Sequence, residues 1–158
     1  MMRPTLLALY AALVTTTLAT AQFSGPGLGW SGSSGTDVGS MLPDCTDYPV
    51  QAQQGEMITM RIMGDLGSPY AVALSPNQTP CTPIPGFGGG FLISGPVVTL
   101  RVGTLTDIVP CLACPEAWAQ WSFTIPISTP SGLRVSFQGI ALGWGVAALT
   151  NSVTASVP

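Results

Sequence analysis

The chain has no histidine and no lysine, and its 158 residues hold only four arginines. Without histidine the commonest general base is missing, and the Ser-His-Asp and Cys-His arrangements go with it. Zinc would then need four thiolates from cysteines that include only one close pair, Cys111 and Cys114. Charged residues make up 7% of the chain, against about 25% in an ordinary soluble protein. Beyond residue 21 there are three arginines and seven acids, a formal net charge of −4. Three scattered cations cannot neutralise a phosphate backbone, so no nucleic-acid partner is expected, and the same count excludes an anionic membrane surface.

Helical periodicity is also missing, because no stretch of ten or more residues repeats its apolar positions at three-to-four spacing. The remaining catalytic chemistry would fall to the carboxylates Asp37, Asp44, Asp47, Glu56, Asp65, Asp107 and Glu116. A glycosidase needs two of them facing each other across a cleft, yet each sits beside an expected turn, a strand end or a linker. No enzyme activity, metal or cofactor is expected. Asp44 and Asp47 flank Cys45, but two acids without further oxygen-ligand spacing fall short of a calcium loop.

Residues 1–21 read as a signal peptide: Arg3 supplies the positive start, Leu6 to Leu18 the apolar run and Ala19-Thr20-Ala21 the small-residue cleavage pattern. Residues 22–44 are rich in glycine and serine and read as a flexible lead-in. A single domain is expected over 45–158, with strands at Tyr48 to Gln53, Glu56 to Gly64, Pro69 to Leu74 and Val97 to Gly103. Met57 to Met63 is apolar on both parities, which suits a central strand, with Arg61 at an edge or in an ion pair. Ser75 to Gly90 carries turn residues throughout and reads as a crossover loop. Its glycines resemble a phosphate cradle, but no lysine and no helix pattern follow them.

The strand period is plainest near the C-terminus. Ala119, Trp121, Phe123, Ile125 and Ile127 alternate with Gln120, Ser122, Thr124 and Pro126, and Leu133, Val135 and Phe137 alternate with Arg134, Ser136 and Gln138. A hairpin pairing Ile127 with Leu133 across the Ser128 to Gly132 loop would put both apolar sets on one face, Phe123 opposite Phe137 and Trp121 over Gly139. Leu149 to Val157 alternates again as a further strand. Seven or eight such strands with no helices between them predict an all-β fold, an antiparallel β-sandwich of immunoglobulin-like size.

Extending that hairpin beyond Gly139 brings Trp118, Ile140, Leu142 and Trp144 onto its wet face. Either a bulge at Gly139 turns these residues inward, or they form an exposed apolar patch of the kind that marks a binding surface. In the second case they are the candidate ligand-binding residues, with Phe87 and Phe91 as further aromatic candidates, since tryptophan platforms suit stacking on sugar rings.

Four cysteines in an exported chain predict disulfides. Three connectivities exist. The favoured one closes Cys111 on Cys114 locally and leaves Cys45 to reach Cys81. A C-x-x-C redox centre is the rival for the close pair, but Pro110 and Pro115 flank it and no helix pattern follows.

The run W-S-F-T-I-P-I-S-T-P-S-G-L-R-V-S-F-Q-G-I-A-L, followed by A-L-T-N-S-V-T-A-S-V, resembles the C-terminal β-domain of uncharacterised secreted proteins of planctomycete-type bacteria. The resemblance extends upstream through a strand like Glu56 to Gly64 and the A-L-S of Ala73 to Ser75. It implies an exported sandwich module with no catalytic residues to carry over. Two functions are expected from all this. One is a non-catalytic secreted module, structural or adhesive, with an unknown protein or glycan partner at the cell surface or outside; the other is a carbohydrate- or ligand-binding module using the aromatic patch.

Overall fold

Strands with apolar residues at every second position must cover one face, and here two five-stranded sheets cover each other. The computed structural model describes residues 25–33, 37–40, 43–108 and 116–158, and over these the chain is all β. The strands are β1 (Leu28–Gly32), β2 (Asp37–Gly39), β3 (Asp47–Gln51), β4 (Met57–Asp65), β5 (Pro69–Ser75) and β6 (Asn77–Pro83), then β7 (Gly90–Ser94), β8 (Val98–Thr104), β9 (Asp107–Ile108), β10 (Glu116–Thr124), β11 (Arg134–Gly143) and β12 (Val146–Ser156). The first sheet runs β2-β1-β4-β10-β9 and the second β3-β12-β11-β5-β8, while β6 and β7 form a separate two-stranded sheet. All pairs are antiparallel except β3 with β12. The expected antiparallel sandwich is therefore present.

The core lies between the inward parities. Leu28 and Trp30 of β1, Ile58, Met60 and Ile62 of β4, and Ala117 of β10 pack against Tyr70 and Val72 of β5, Phe137 and Ala141 of β11, and Val153 and Ala155 of β12. At its centre Trp30 meets Phe123 edge-on, ring centroids 6.1 Å apart, and Phe137 at 5.7 Å. Such aromatic pairs add about 0.5–1.5 kcal/mol each beyond the area they bury. β4 holds the middle of its sheet, as its two-sided apolar pattern requires.

Three expectations are corrected. Residues 22–44 are not a lead-in throughout: Leu28 and Trp30 are fully buried and β1 pairs with β4 from Leu28↔Ile62 to Gly32↔Ile58. Glycine and serine lower the hydropathy of this stretch, but two large inward side chains suffice to bind it to the core. The Trp121 to Phe137 hairpin is also absent, since β10 pairs with β4 and β9 and β11 pairs with β12 and β5. The connecting segment crosses from one sheet to the other. Pro126 and Pro130 lack the N–H that a continued ladder needs, and Ile127 is 81% exposed instead of paired in the core. Phe123 and Phe137 do meet, at 6.4 Å, across the gap between sheets, while Trp121 stacks on Tyr70 at 6.4 Å. The third correction concerns Ser75 to Gly90, which contributes β6 and a bridge from Gly88 to Ala148 instead of a plain loop.

Buried side-chain amides join these layers. The Leu28 N–H donates to Asn151 Oδ1 at 2.9 Å and Asn151 Nδ2 donates to the Leu28 carbonyl at 2.9 Å, so one side chain completes both backbone groups. Gln138 does the same for β7: it accepts from Leu92 N at 3.0 Å and donates to Gly90 O and Thr150 O, each at 2.8 Å. Asn151 is free to reach across because the register of β11 with β12 shifts between Gln138 and Ile140, where Thr150 and Asn151 together face the single Gly139. β11 itself keeps its phase, with Phe137 and Ala141 both in the core, so the bulge that would turn Ile140 and Leu142 inward is absent. Beside it, Thr154 donates to Asp47 Oδ1 at 2.7 Å and accepts from Gln78 Nε2 at 2.6 Å. Its single proton being used, it must also accept from Ser136 Oγ at 2.8 Å.

Cys45 and Cys81 form a disulfide that fastens the approach to β3 onto β6, as favoured from the sequence; Cys111 and Cys114 lie outside the described residues. Closing a loop of 36 residues lowers the entropy of the unfolded chain by about 4 kcal/mol in the loop-closure model. Replacing both cysteines by serine is expected to lower unfolding stability by about 2–4 kcal/mol. Asn151→Leu, which orphans the Leu28 N–H and carbonyl, is expected to cost about 2–5 kcal/mol. Both losses are read from the urea midpoint at an unchanged denaturant slope.

Candidate functional site

Residues directly opposite in an antiparallel ladder share a face, so the pairing registers map the outer surface of the first sheet row by row. Asp37, Ser31, Thr59 and Ser122 make one row, Gly39, Gly29, Arg61 and Gln120 the next, and Met63, Trp118 and Asp107 the third. This surface is hollow where the glycines lie. A cleft of about 240 Å³ is lined by Gly27, Gly29 and Gly39 together with Trp30, Ser31, Val38, Ser40, Thr59, Arg61, Met63 and Trp118.

The lining is ordered by polar contacts within the sheet. Thr59 and Ser122 hydroxyls lie 2.8 Å apart, and Arg61 Nε donates to Gln120 Oε1 at 2.9 Å. The Arg61 guanidinium carbon sits 5.4 Å from the centroid of the Trp118 ring, within cation–π range. Arg61 thus occupies the middle strand of its sheet, not an edge, and no ion pair engages it among the described residues.

Trp144 arrives at the same sheet from the other one. It is the first residue of the two-residue turn between β11 and β12, with φ at 57° and Gly145 at 73°, the left-handed pair of a type I′ turn. Asparagine is the ordinary choice there, and an aromatic residue at positive φ is an outlier. The carboxylate of Asp65 holds the turn, accepting from Trp144 N at 2.9 Å and Gly145 N at 2.8 Å. Asp65 lies two residues along β4 from Met63 and so shares its outward parity. A glycine is required just below it: a Cβ on Gly64 would come within 2.4 Å of the Leu142 carbonyl. The two sheets are therefore closest at this corner, and Trp144 stands on it 59% exposed.

The four candidate residues do not form one cluster. Trp118 faces outward on the first sheet, whereas Ile140 opposes Ala71 and Leu149, and Leu142 opposes Ala147, on the second. Ile140 and Leu142 are half-buried and take the parity of Gln138, which lies under β7. Phe87 and Phe91 are exposed on the β7 side of the second sheet. The cluster dissolves for the same reason as the hairpin that generated it. What survives is Trp118, with Trp144 brought to the corner by a different route.

Arg61, Gln120, Thr59 and Gly29 join the site from structure alone. Gln120 shares the even parity of Trp118, which the sequence shows, but Arg61 and Gly29 belong to distant strands whose order has no local signature. Four of the carboxylates have structural tasks: Asp44 accepts from Thr46 N, Glu56 from Gln53 N, Asp47 from Ser152 and Thr154, and Asp65 from the turn. Among the described residues no three acids, cysteines or histidines gather as a metal set.

Comparison with protein-family models, curated proteins and solved structures found no match to the chain.

Two glycines of the cleft are expected to answer differently to a side chain. A Cβ on Gly29 meets nothing closer than the Val38 carbonyl at 3.7 Å, an ordinary contact, whereas one on Gly39, at φ 126°, would lie 2.2 Å from the Leu28 carbonyl. Gly29→Val should melt within a few degrees of the parent, and Gly39→Val should lose about 2 kcal/mol or more; thermal unfolding followed by circular dichroism separates them.

Proposed function

We propose that this protein is an exported, non-catalytic β-sandwich module that acts by binding, with the cleft on the outer face of its first sheet as the ligand site and a carbohydrate chain as the ligand. The observation that carries the reading is the cleft itself: lining glycines beside Trp118, with Arg61, Gln120, Thr59 and Ser122 on the same surface. A flat ring beside planar and hydroxyl-bearing polar groups matches a sugar, whose apolar ring face and hydroxyl rim call for those two kinds of partner. Ligand sites combine an apolar surface with a few placed polar groups in this way.

Export is supported by the signal-like residues 1–21 and the Cys45–Cys81 disulfide. No helix among the described residues is long and apolar enough to cross a membrane. The non-catalytic part of the reading rests on the lack of histidine and on the engagement of Asp44, Asp47, Glu56 and Asp65 as caps and clamps. If the glycan belongs to a cell surface or matrix, such a module is an adhesion module.

Trp144 supports a binding role independently. Asparagine adopts this left-handed position with less strain than tryptophan does, and Trp144 stands there 59% exposed beside the outward rows of the first sheet. Trp144→Asn is therefore expected to raise stability by about 0.5–1 kcal/mol while weakening ligand capture. Trp118→Ala and Gly29→Val should each abolish retention on an insoluble polysaccharide or glycan array and keep the parent's circular dichroism spectrum. Retention of the same glycans by all three variants would refute the assignment.

A further inference from the structure

Arg61 carries a feature that the general reading leaves unused. Its Nε is committed to Gln120 Oε1 at 2.9 Å and its guanidinium plane is fixed 5.4 Å from the Trp118 ring centroid. The two terminal amino groups have no carboxylate partner among the described residues, and Arg61 lines the cleft. A guanidinium held at one end by a hydrogen bond and on its plane by a ring presents its remaining N–H groups in a fixed fork, the geometry that matches a carboxylate. Neighbouring acids leave that fork open. Asp65 is engaged by the Trp144 and Gly145 N–H groups, Asp107 stands beyond Trp118 on the edge strand β9, and Asp37 lies on the opposite edge strand β2, two strands from Arg61 and one row from it.

We propose that the cleft selects an acidic saccharide, and that Arg61 receives the carboxylate of a uronic acid residue whose ring lies against Trp118. The inference rests on the binding role proposed above and narrows it to one ligand class. One fixed cation suits one carboxylate at a time. The chain's net charge of −3 opposes a dense polyanion, though beyond about 8 Å this repulsion is screened at physiological salt. Asp107, at the edge, disfavours the reversed orientation, in which the carboxylate would lie beyond Trp118.

The test compares a galacturonate trimer with its fully methyl-esterified form, two ligands that differ in charge and hardly in shape, by isothermal titration against the parent, Arg61→Gln, Arg61→Lys and Gly29→Val. The parent should bind the acid form roughly 10- to 100-fold more tightly than the ester, the range of a hydrogen bond to a charged group. Arg61→Gln should bring the two affinities together, and Arg61→Lys should keep part of the preference and weaken it steeply with added salt. Gly29→Val should abolish binding of both. Equal affinity of the parent for acid and ester, with Gly29→Val still abolishing both, would overturn the acidic specificity and leave the carbohydrate site standing. Preference for a sulfated trimer over the uronate would overturn the carboxylate assignment. Failure of the parent to bind the acid, the ester or a neutral glucan would remove the binding site and this inference together. Arg61 lies on the outer face, so a parent-like melting temperature for Arg61→Gln separates loss of contact from loss of fold.

Discussion

The sandwich depends on two buried carboxamides that act as short pieces of strand. Asn151 gives Leu28 the donor and acceptor that β2, only three residues long, ends too early to supply, and Gln138 offers the same pair of functions to β7. A buried backbone group left without a partner costs about 1–3 kcal/mol, so each amide removes a penalty at a place where no strand can reach. The rest of the layout follows. With Asn151 in place β1 can join the first sheet while touching the second, and with Gln138 in place the small β6–β7 sheet can lie over the second sheet without a ladder between them. Thr150, Ser152 and Thr154 complete the network on β12 and are fully buried, with every hydroxyl used. A satisfied polar layer of this kind fixes one register, because a one-residue slip would orphan all of it at once.

The proposed binding surface is a by-product of how the sheets meet. Gly64 allows β4 and β11 to approach at one corner, and Asp65, the next residue, clamps the turn that β11 makes there. A tryptophan from the second sheet thereby ends beside the outward rows of the first. The remaining surface lies on β1, β4 and β10, held by pairing that the core enforces from the inner side. Arg61 and Trp118 sit on those outward rows, opposite Ile62, Met60 and Ala117 in facing, so their backbone positions are as rigid as the core beneath them. Positional rigidity is what a site needs when orientation decides affinity.

Much of this was legible in the residues because period two is a local signal. β3, β4, β5 and β8 fall within a residue or two of where alternation predicts them and β12 begins three residues early, and Cys45 with Cys81 follows once the close pair is set aside. The order of strands was not legible. Trp121 and Phe123 alternate against Gln120 and Ser122 in the same way whether β11 lies alongside in one sheet or across the core in the other, and only the prolines of the connection hint at the second. Because the site residues come from β1, β4 and β10, which are neighbours in space and far apart in sequence, no reading of the C-terminal stretch alone could assemble them. Leu28 and Trp30 were hidden by their company: two core residues within a glycine and serine run carry too little mean hydropathy to stand out, though each fills the core as fully as Ile58 does.

The bond between Leu28 and Asn151 spans 123 residues, and this distance governs when the protein can become itself. In a chain growing from its N-terminus, β1 emerges 123 residues before the side chain that completes the Leu28 N–H and carbonyl. β4 likewise waits for β10, and β5 for β11. Until those late strands exist, neither sheet is complete and neither apolar face has its cover, so the intermediate lengths have little native structure to hold. Contacts of such long sequence separation fold slowly. Completion of the fold in this topology is thereby tied to the arrival of one side chain, that of Asn151.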